Sequence, residues 1–132
     1  NAGFTAPGVT PWLPVSEDYE RVNVAAQRRD PTSTLSLYRR LLALRRERPP
    51  LHRGDFAFVP GMPDDVLAYT RQAGDDRALV VINFADEART VDLSAVGAAA
   101  RLLLSTQFSE HSEVDLSRVA LEPHEGLLLA LM

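Results

Sequence analysis

The chain has no cysteine in its 132 residues. Disulfides, thiolate catalysis and cysteine-based metal sites are therefore excluded. Histidine is scarce too. His52, His111 and His124 are scattered without metal-ligand spacing, and each reads as a loop or strand-end residue. No metal site or cofactor is expected. A glycine-rich phosphate loop is missing, since Gly3 and Gly8 stand in the wrong context, and so is a Gly-x-Ser-x-Gly elbow. His111-Ser112 near Ser105 and Glu113 is weak evidence for a triad. Basic charge is in deficit: the formal net charge is −4. That balance argues against nucleic acid and anionic membranes as partners, because both reward a basic face. Long apolar runs are absent as well. Ala78–Ile82 with Phe84 close behind falls far short of the roughly 20 residues a spanning helix needs. No stretch has targeting character, and a cytoplasmic location is the expectation. The opening Asn1-Ala2-Gly3-Phe4-Thr5, without an initiator Met, reads like the middle of a longer protein.

What the chain does have is apolar content of 45%, enough for a real core. Its one strong helix signal runs from Asp30 to Arg48. Asp30 suits the helix start as cap and as anion, and Pro31 fits the first helical position. Pro49 and Pro50 stop it, with Arg45, Arg46 and Arg48 in the last turn where the dipole favours cations. At 100° per residue, Leu35, Leu37, Tyr38, Leu41, Leu42 and Leu44 cover about half the wheel. That arc is wider than a surface helix needs and suggests a helix wedged between two layers. Arg45 falls inside the arc. It is either a side chain snorkelling to water or a guanidinium tying the helix to a neighbouring layer.

Residues 1–29 form a stiff, irregular loop with Pro7, Pro11, Pro14, Gly3 and Gly8, and Val22-Asn23-Val24 could add a very short strand. A loop of this length is functional or packed over another domain. After Leu51 the period changes to two. Asp55–Val59, Val66–Arg71, Arg77–Phe84, Thr90–Leu93, Arg101–Ser105, Val114, Val119–Leu121 and Leu127–Met132 are the strand candidates. Arg77–Phe84 is continuously apolar and β-branched, so it should be a central strand buried on both faces. The fold class is thus mainly β: an antiparallel, Greek-key-like sandwich of seven or eight strands, preceded by one long helix and an irregular loop. Asp64-Asp65 and Asp75-Asp76 sit at turns, where carboxylates are usually solvent-facing caps. Phe4 and Trp12 are the best binding candidates, because sugar rings stack on aromatics. The plainer alternative, that Trp12 plugs the loop onto its neighbour, weighs more on residues alone.

The ordered set Asn1–Thr5, Pro11-Trp12-Leu13-Pro14-Val15, Val22-Asn23-Val24, Asp30–Leu35 and Tyr38–Arg45 resembles the end of the catalytic barrel in the α-glucosidase and oligo-1,6-glucosidase branch of the α-amylase family. Leu51 and Gly54 resemble that branch's link into its C-terminal domain. Val80-Val81-Ile82-Asn83-Phe84 resembles the central strand of that domain, and Leu121–Gly126 its final turn and strand. The resemblance covers nearly the whole chain. It implies that residues 1–50 end a (β/α)8 barrel, with loop 1–29 and last barrel helix 30–48, and that residues 51–132 form the C-terminal antiparallel sandwich.

The family's reaction is retaining α-glycoside hydrolysis by an Asp nucleophile, a Glu acid/base and a second Asp, with carboxyls about 5–5.5 Å apart for retention. All three lie upstream of Asn1 in the family's order, so no catalytic residue is carried over. Asn1, Gly3, Phe4 and Trp12 would lie at the pocket rim, with shaping of the loop as their main role. The implied partner is the missing barrel, and oligosaccharide is met only through it. The parent protein would be a glycosidase and this segment structural, a cap on the barrel. The same region of a trehalose synthase or sucrose isomerase is the near alternative. A free-standing carbohydrate- or protein-binding sandwich is the distant one; it needs an exposed aromatic platform, whereas Phe56, Phe58, Tyr69, Phe84 and Phe108 sit mostly in apolar strand patterns. The 132-residue chain alone is expected to release no nitrophenol from an aryl α-glucoside, and measurable turnover would overturn this reading.

Overall fold

A computed structural model describes residues 2–108 and 113–132, in two compact units, 1–39 and 40–132. The first unit is organised by polar side chains. Asn23 Oδ1 accepts from Ala26 N at 2.9 Å and caps one helical turn, α1 (Val24–Gln27). Val22-Asn23-Val24 is therefore no strand; its Asn is a helix cap. Ser33 Oγ donates to Gln27 O at 2.7 Å, and Gln27 Oε1 accepts from Leu35 N at 2.9 Å. Helix α2 spans Thr34–Glu47. Ser33 caps it: its carbonyl accepts from Leu37 N and its Oγ from Ser36 N. The start thus lies beyond the Asp30-Pro31 pair. Asp30 binds Thr32 instead, accepting from its amide at 2.8 Å and its hydroxyl at 2.7 Å, and these bonds hold its carboxyl below the usual range.

No residue of α2 is buried. Leu35, Leu37, Leu41 and Leu44 are half-buried, while Tyr38 and Leu42 are exposed. A short helix α3 (Pro50–Arg53) follows the proline pair, with Pro50 fully buried.

Eight strands follow among the described residues. They are β1 (Asp55–Phe58), β2 (Val66–Ala73), β3 (Asp76–Asn83), β4 (Arg89–Val91), β5 (Ala99–Ser105), β6 (Glu113–Asp115), β7 (Val119–Leu121) and β8 (Gly126–Leu131). Six form one sheet in the order β1-β2-β3-β8-β5-β6, and β4 pairs with β7 in a second. Every pairing is antiparallel. The chain leaves the large sheet after β3 for β4, returns for β5 and β6, crosses again for β7, and closes on β8 beside β3, which are the crossovers of the expected Greek-key-like sandwich.

Register decides which side chains share a face. Leu79 stands opposite Leu129, and Val81 opposite Leu127, on the inner face. There they cluster with Val66, Ala68 and Ala100, with Val91, Val119 and Leu121 of the small sheet, and with Leu93 and Leu116. Each fully buried Leu contributes roughly 1.5–3 kcal/mol. The outer face carries the alternate residues: Phe56 and Phe58 of β1, Tyr69 of β2, Val80 and Ile82 of β3, and Leu128 of β8. It too is apolar, so β3 has the two-sided apolar character that its sequence predicts.

All members of the buried cluster lie between Val59 and Leu129. Deleting residues 1–29 is therefore expected to leave one cooperative urea-unfolding transition, and its loss would show that the sandwich depends on the N-terminal loop.

Candidate functional site

Two constellations organise the sandwich. The first joins the helices to the large sheet. Arg48, just past α2, pairs through Nη2 with Oδ1 of Asp76 at the start of β3. Arg71 of β2 donates from Nε at 3.2 Å and from Nη2 at 2.8 Å to the carbonyl of Gly54. Asp76 and Arg71 are both outer-face positions, since Asp76 opposes Ala73 and Arg71 opposes Ala78 and Phe56. Gly54 is required here by close approach, not by its backbone angles. A Cβ would lie 2.7 Å from Pro50 O, 2.8 Å from Pro50 Cα and 2.9 Å from Gln72 O. These are backbone atoms and cannot swing aside.

The second constellation is a buried polar knot where β3 ends and β8 begins. Asn83 is 1% exposed. Its Nδ2 donates to Glu87 O at 2.8 Å and Glu122 O at 2.9 Å, and its Oδ1 accepts from Ala85 N at 3.0 Å. Glu125, also buried, accepts from Ser105 Oγ at 2.5 Å and from Glu122 N at 2.9 Å. Ser105 Oγ accepts in turn from Gln107 N. Burial without partners would make each of these groups costly, and the knot supplies the partners. His124 Nε2 lies 2.7 Å from Asp86 Oδ1 and fastens the same turn from outside. Beside it, Arg89 donates to Asp65 Oδ2 from Nη2 at 2.8 Å and to Glu87 Oε2 at 3.1 Å. The Arg89 bond holds the Asp65 carboxyl below the usual range. The stabilisation this gives is present above the ordinary carboxyl value and fades as pH falls through the lowered one.

Phe4 and Trp12 are both exposed, Trp12 at 96%. Asn1 and His111 lie outside the described residues. Arg45 is exposed, and the arginine that reaches a sheet residue is Arg48, three positions on. The wheel argument distinguishes a face, not which of two nearby arginines finds a carboxylate 28 residues away. Asp65 and Asp76, read from sequence as turn carboxylates, form ion pairs with Arg89 and Arg48 respectively. Among the described residues no three His, Cys, Asp or Glu side chains come together as a metal site, and no helix is long and apolar enough to cross a membrane.

Comparison with known proteins divides the chain at the same junction. Residues 1–54 match the catalytic domain of alpha amylases, and residues 56–128 the C-terminal domain of maltogenic amylase. The chain is 40% identical to the rat amino acid transporter heavy chain SLC3A1, over 98% of this chain and 20% of that protein. It is 32% identical to the oligo-1,6-glucosidase of Parageobacillus thermoglucosidasius, over 96% and 22%. The solved trehalulose synthase MutB from Pseudomonas mesoacidophila MX-45 superposes with a TM-score of 0.80 at 30% identity, over 91% of this chain and 22% of that one. The chain thus spans about a fifth of the length of the relatives it matches.

Because backbone surrounds the missing Cβ, Gly54→Ala is expected to lower the urea-unfolding free energy by about 1–3 kcal/mol. An unchanged midpoint would show that the junction yields without cost.

Proposed function

The chain belongs to the α-amylase family, and on that premise we propose that it is the C-terminal segment of an α-glucosidase-like glycoside hydrolase acting on α-linked gluco-oligosaccharides. Residues 1–50 complete the catalytic barrel, and residues 51–132 are the sandwich that caps and stabilises it. The observation that carries this is the order of the two matches. A catalytic-domain end runs into a C-terminal domain within one chain, and the structure changes from helix to sheet at Gly54. Helix α2 supports it. A 14-residue helix with an apolar half-wheel and no buried residue is what remains of a barrel helix when its neighbours are absent.

The segment's own role is structural. Relatives that share it are named as a glucosidase, a trehalulose synthase and a transporter heavy chain. A region common to proteins with such different names is more readily a frame than the seat of one chemistry. Catalysis falls to carboxylates of the barrel, and oligosaccharide meets the protein there, with Phe4 and Trp12 at the rim.

A second reading rests on the solved relative described above, which is named a trehalulose synthase: the parent is an isomerising synthase. One experiment separates the two. The longer polypeptide that includes the barrel is incubated with isomaltose and, separately, with sucrose. Glucose release from isomaltose, with no rearranged disaccharide from sucrose, is expected. Trehalulose formed from sucrose would favour the synthase, and inactivity toward both sugars would overturn the glycosidase reading.

A further inference from the structure

We propose that the two turns at residues 91–96 and 114–119 work as one coupled latch, which fastens one end of the two-stranded sheet and opens only as a unit. The sequence repeats itself there. Val91-Asp92-Leu93-Ser94-Ala95-Val96 and Val114-Asp115-Leu116-Ser117-Arg118-Val119 differ at one position of six. The two copies hold equivalent places in the topology. The first carries the chain from β4 in the small sheet towards β5 in the large one, and the second carries it from β6 in the large sheet to β7 in the small one. Each is folded in the same way. Asp92 Oδ1 accepts from Ser94 N at 2.9 Å, and Asp115 Oδ1 accepts from Ser117 N at 2.8 Å and from its hydroxyl at 2.8 Å. A short polar side chain bonded to the amide two residues on turns the backbone sharply. In each copy the turn leaves Asp and Ser exposed and sends the Leu between them inward, so that Leu93 and Leu116 are both 0% exposed.

The copies hold each other. Leu93 N donates to Leu116 O at 2.7 Å, and Leu116 N donates to Ala98 O at 3.0 Å, two residues beyond the first copy. Val91, which opens the first copy, stands opposite Val119, which closes the second, in the β4–β7 ladder. Leu116 also lies over Gly97, where an added Cβ would meet its Cδ1 at 3.4 Å. Both leucines belong to the same buried cluster. A turn that opened alone would strand the backbone groups of the turn that stayed and leave a void in the core they share, so joint opening is the cheaper event. The other end of the small sheet is tied by different chemistry. There Asn83 holds Glu87 O, just before β4, and Glu122 O, just after β7. One end is thus fastened by a buried amide and the other by two inserted leucines. This inference concerns bonds within the sandwich and stands apart from the enzymatic reading.

Asp92→Ala and Asp115→Ala each remove one turn's side-chain acceptor at an exposed position and leave both leucines in place. The two variants are prepared separately in the 132-residue chain. Amide hydrogen exchange is read by NMR at Leu93 and Leu116, with Leu79 of β3 and Asn83 of the knot as references. Loss of one such bond is expected to speed local opening roughly fivefold. Either substitution should speed exchange by the same factor at Leu93 and at Leu116 and leave Leu79 and Asn83 unchanged. A rise confined to the altered copy would overturn the latch in favour of two separate turns. An equal rise at Leu79 would overturn it as well, because the opening unit would then be the whole sandwich. No rise at either leucine would show that the turns fasten nothing.

Discussion

The structure depends on one constraint: β3 lies in a sheet that is apolar on both faces. Its inner side chains, Leu79 and Val81, are closed off by the small sheet and by Leu93 and Leu116. Its outer ones, Val80 and Ile82, meet no second sheet among the described residues. Part of that side is occupied by the helical segment that Arg48 and Arg71 hold in place. The remainder is aromatic and open. At roughly 1.5–3 kcal/mol for each large apolar side chain removed from water, covering Phe56 and Phe58 is comparable with a sizeable share of a domain's usual 5–15 kcal/mol or so of stability. The outer face thus leaves in water apolar side chains of the kind that the inner face removes from it.

The buried knot solves a different problem. A sheet that closes on its last strand brings the exit of β3 and the entry of β8 together, and both turns carry backbone groups that need partners. Asn83 meets three of them with one amide. Glu125 meets Glu122 N in the turn into β8, and Ser105, which donates to Glu125, meets Gln107 N in the turn after β5. The two stretches that look most like a family signature, Val80–Phe84 and Leu121–Gly126, are therefore two halves of a single hydrogen-bonded closure. An apolar replacement in either half would strand the partners in the other.

The strands were legible because period two and β-branched runs survive any tertiary context, and eight segments read from sequence coincide with eight strands in place and type. The helix start was less so. Asp30-Pro31 has the chemistry of a cap, but Asp30 forms a closer local turn with Thr32, and Ser33 takes the capping position. Val22-Asn23-Val24 shows the same weakness, for alternation over three residues does not outweigh an Asn that can cap. Long-range ion pairs were not legible at all. Nothing local to Asp65 or Asp76 marks Arg89 or Arg48 as partner, since the sheet register brings them together. The aromatic patch was misjudged for a related reason. Phe56 and Phe58 alternate as core residues do, and period alone does not say which of two apolar faces is the covered one.

That ambiguity bears on how the segment works. In a sandwich with one apolar face, register is fixed by the core alone. Here a one-residue slip of β1 would exchange Phe56 and Phe58 for Asp55 and Ala57 on the outer face. Arg71 opposes Phe56 and grips Gly54, one residue before β1 begins, so the bond that fastens the helices also sets the β1 register. Helix attachment, strand register and the composition of the aromatic face are thus one linked choice. Gly54 is where they meet, because only a residue without Cβ lets the chain pass between Pro50 and Gln72. Those neighbours are backbone atoms, so a side chain at this position would have to displace the helix attachment and the strand start together.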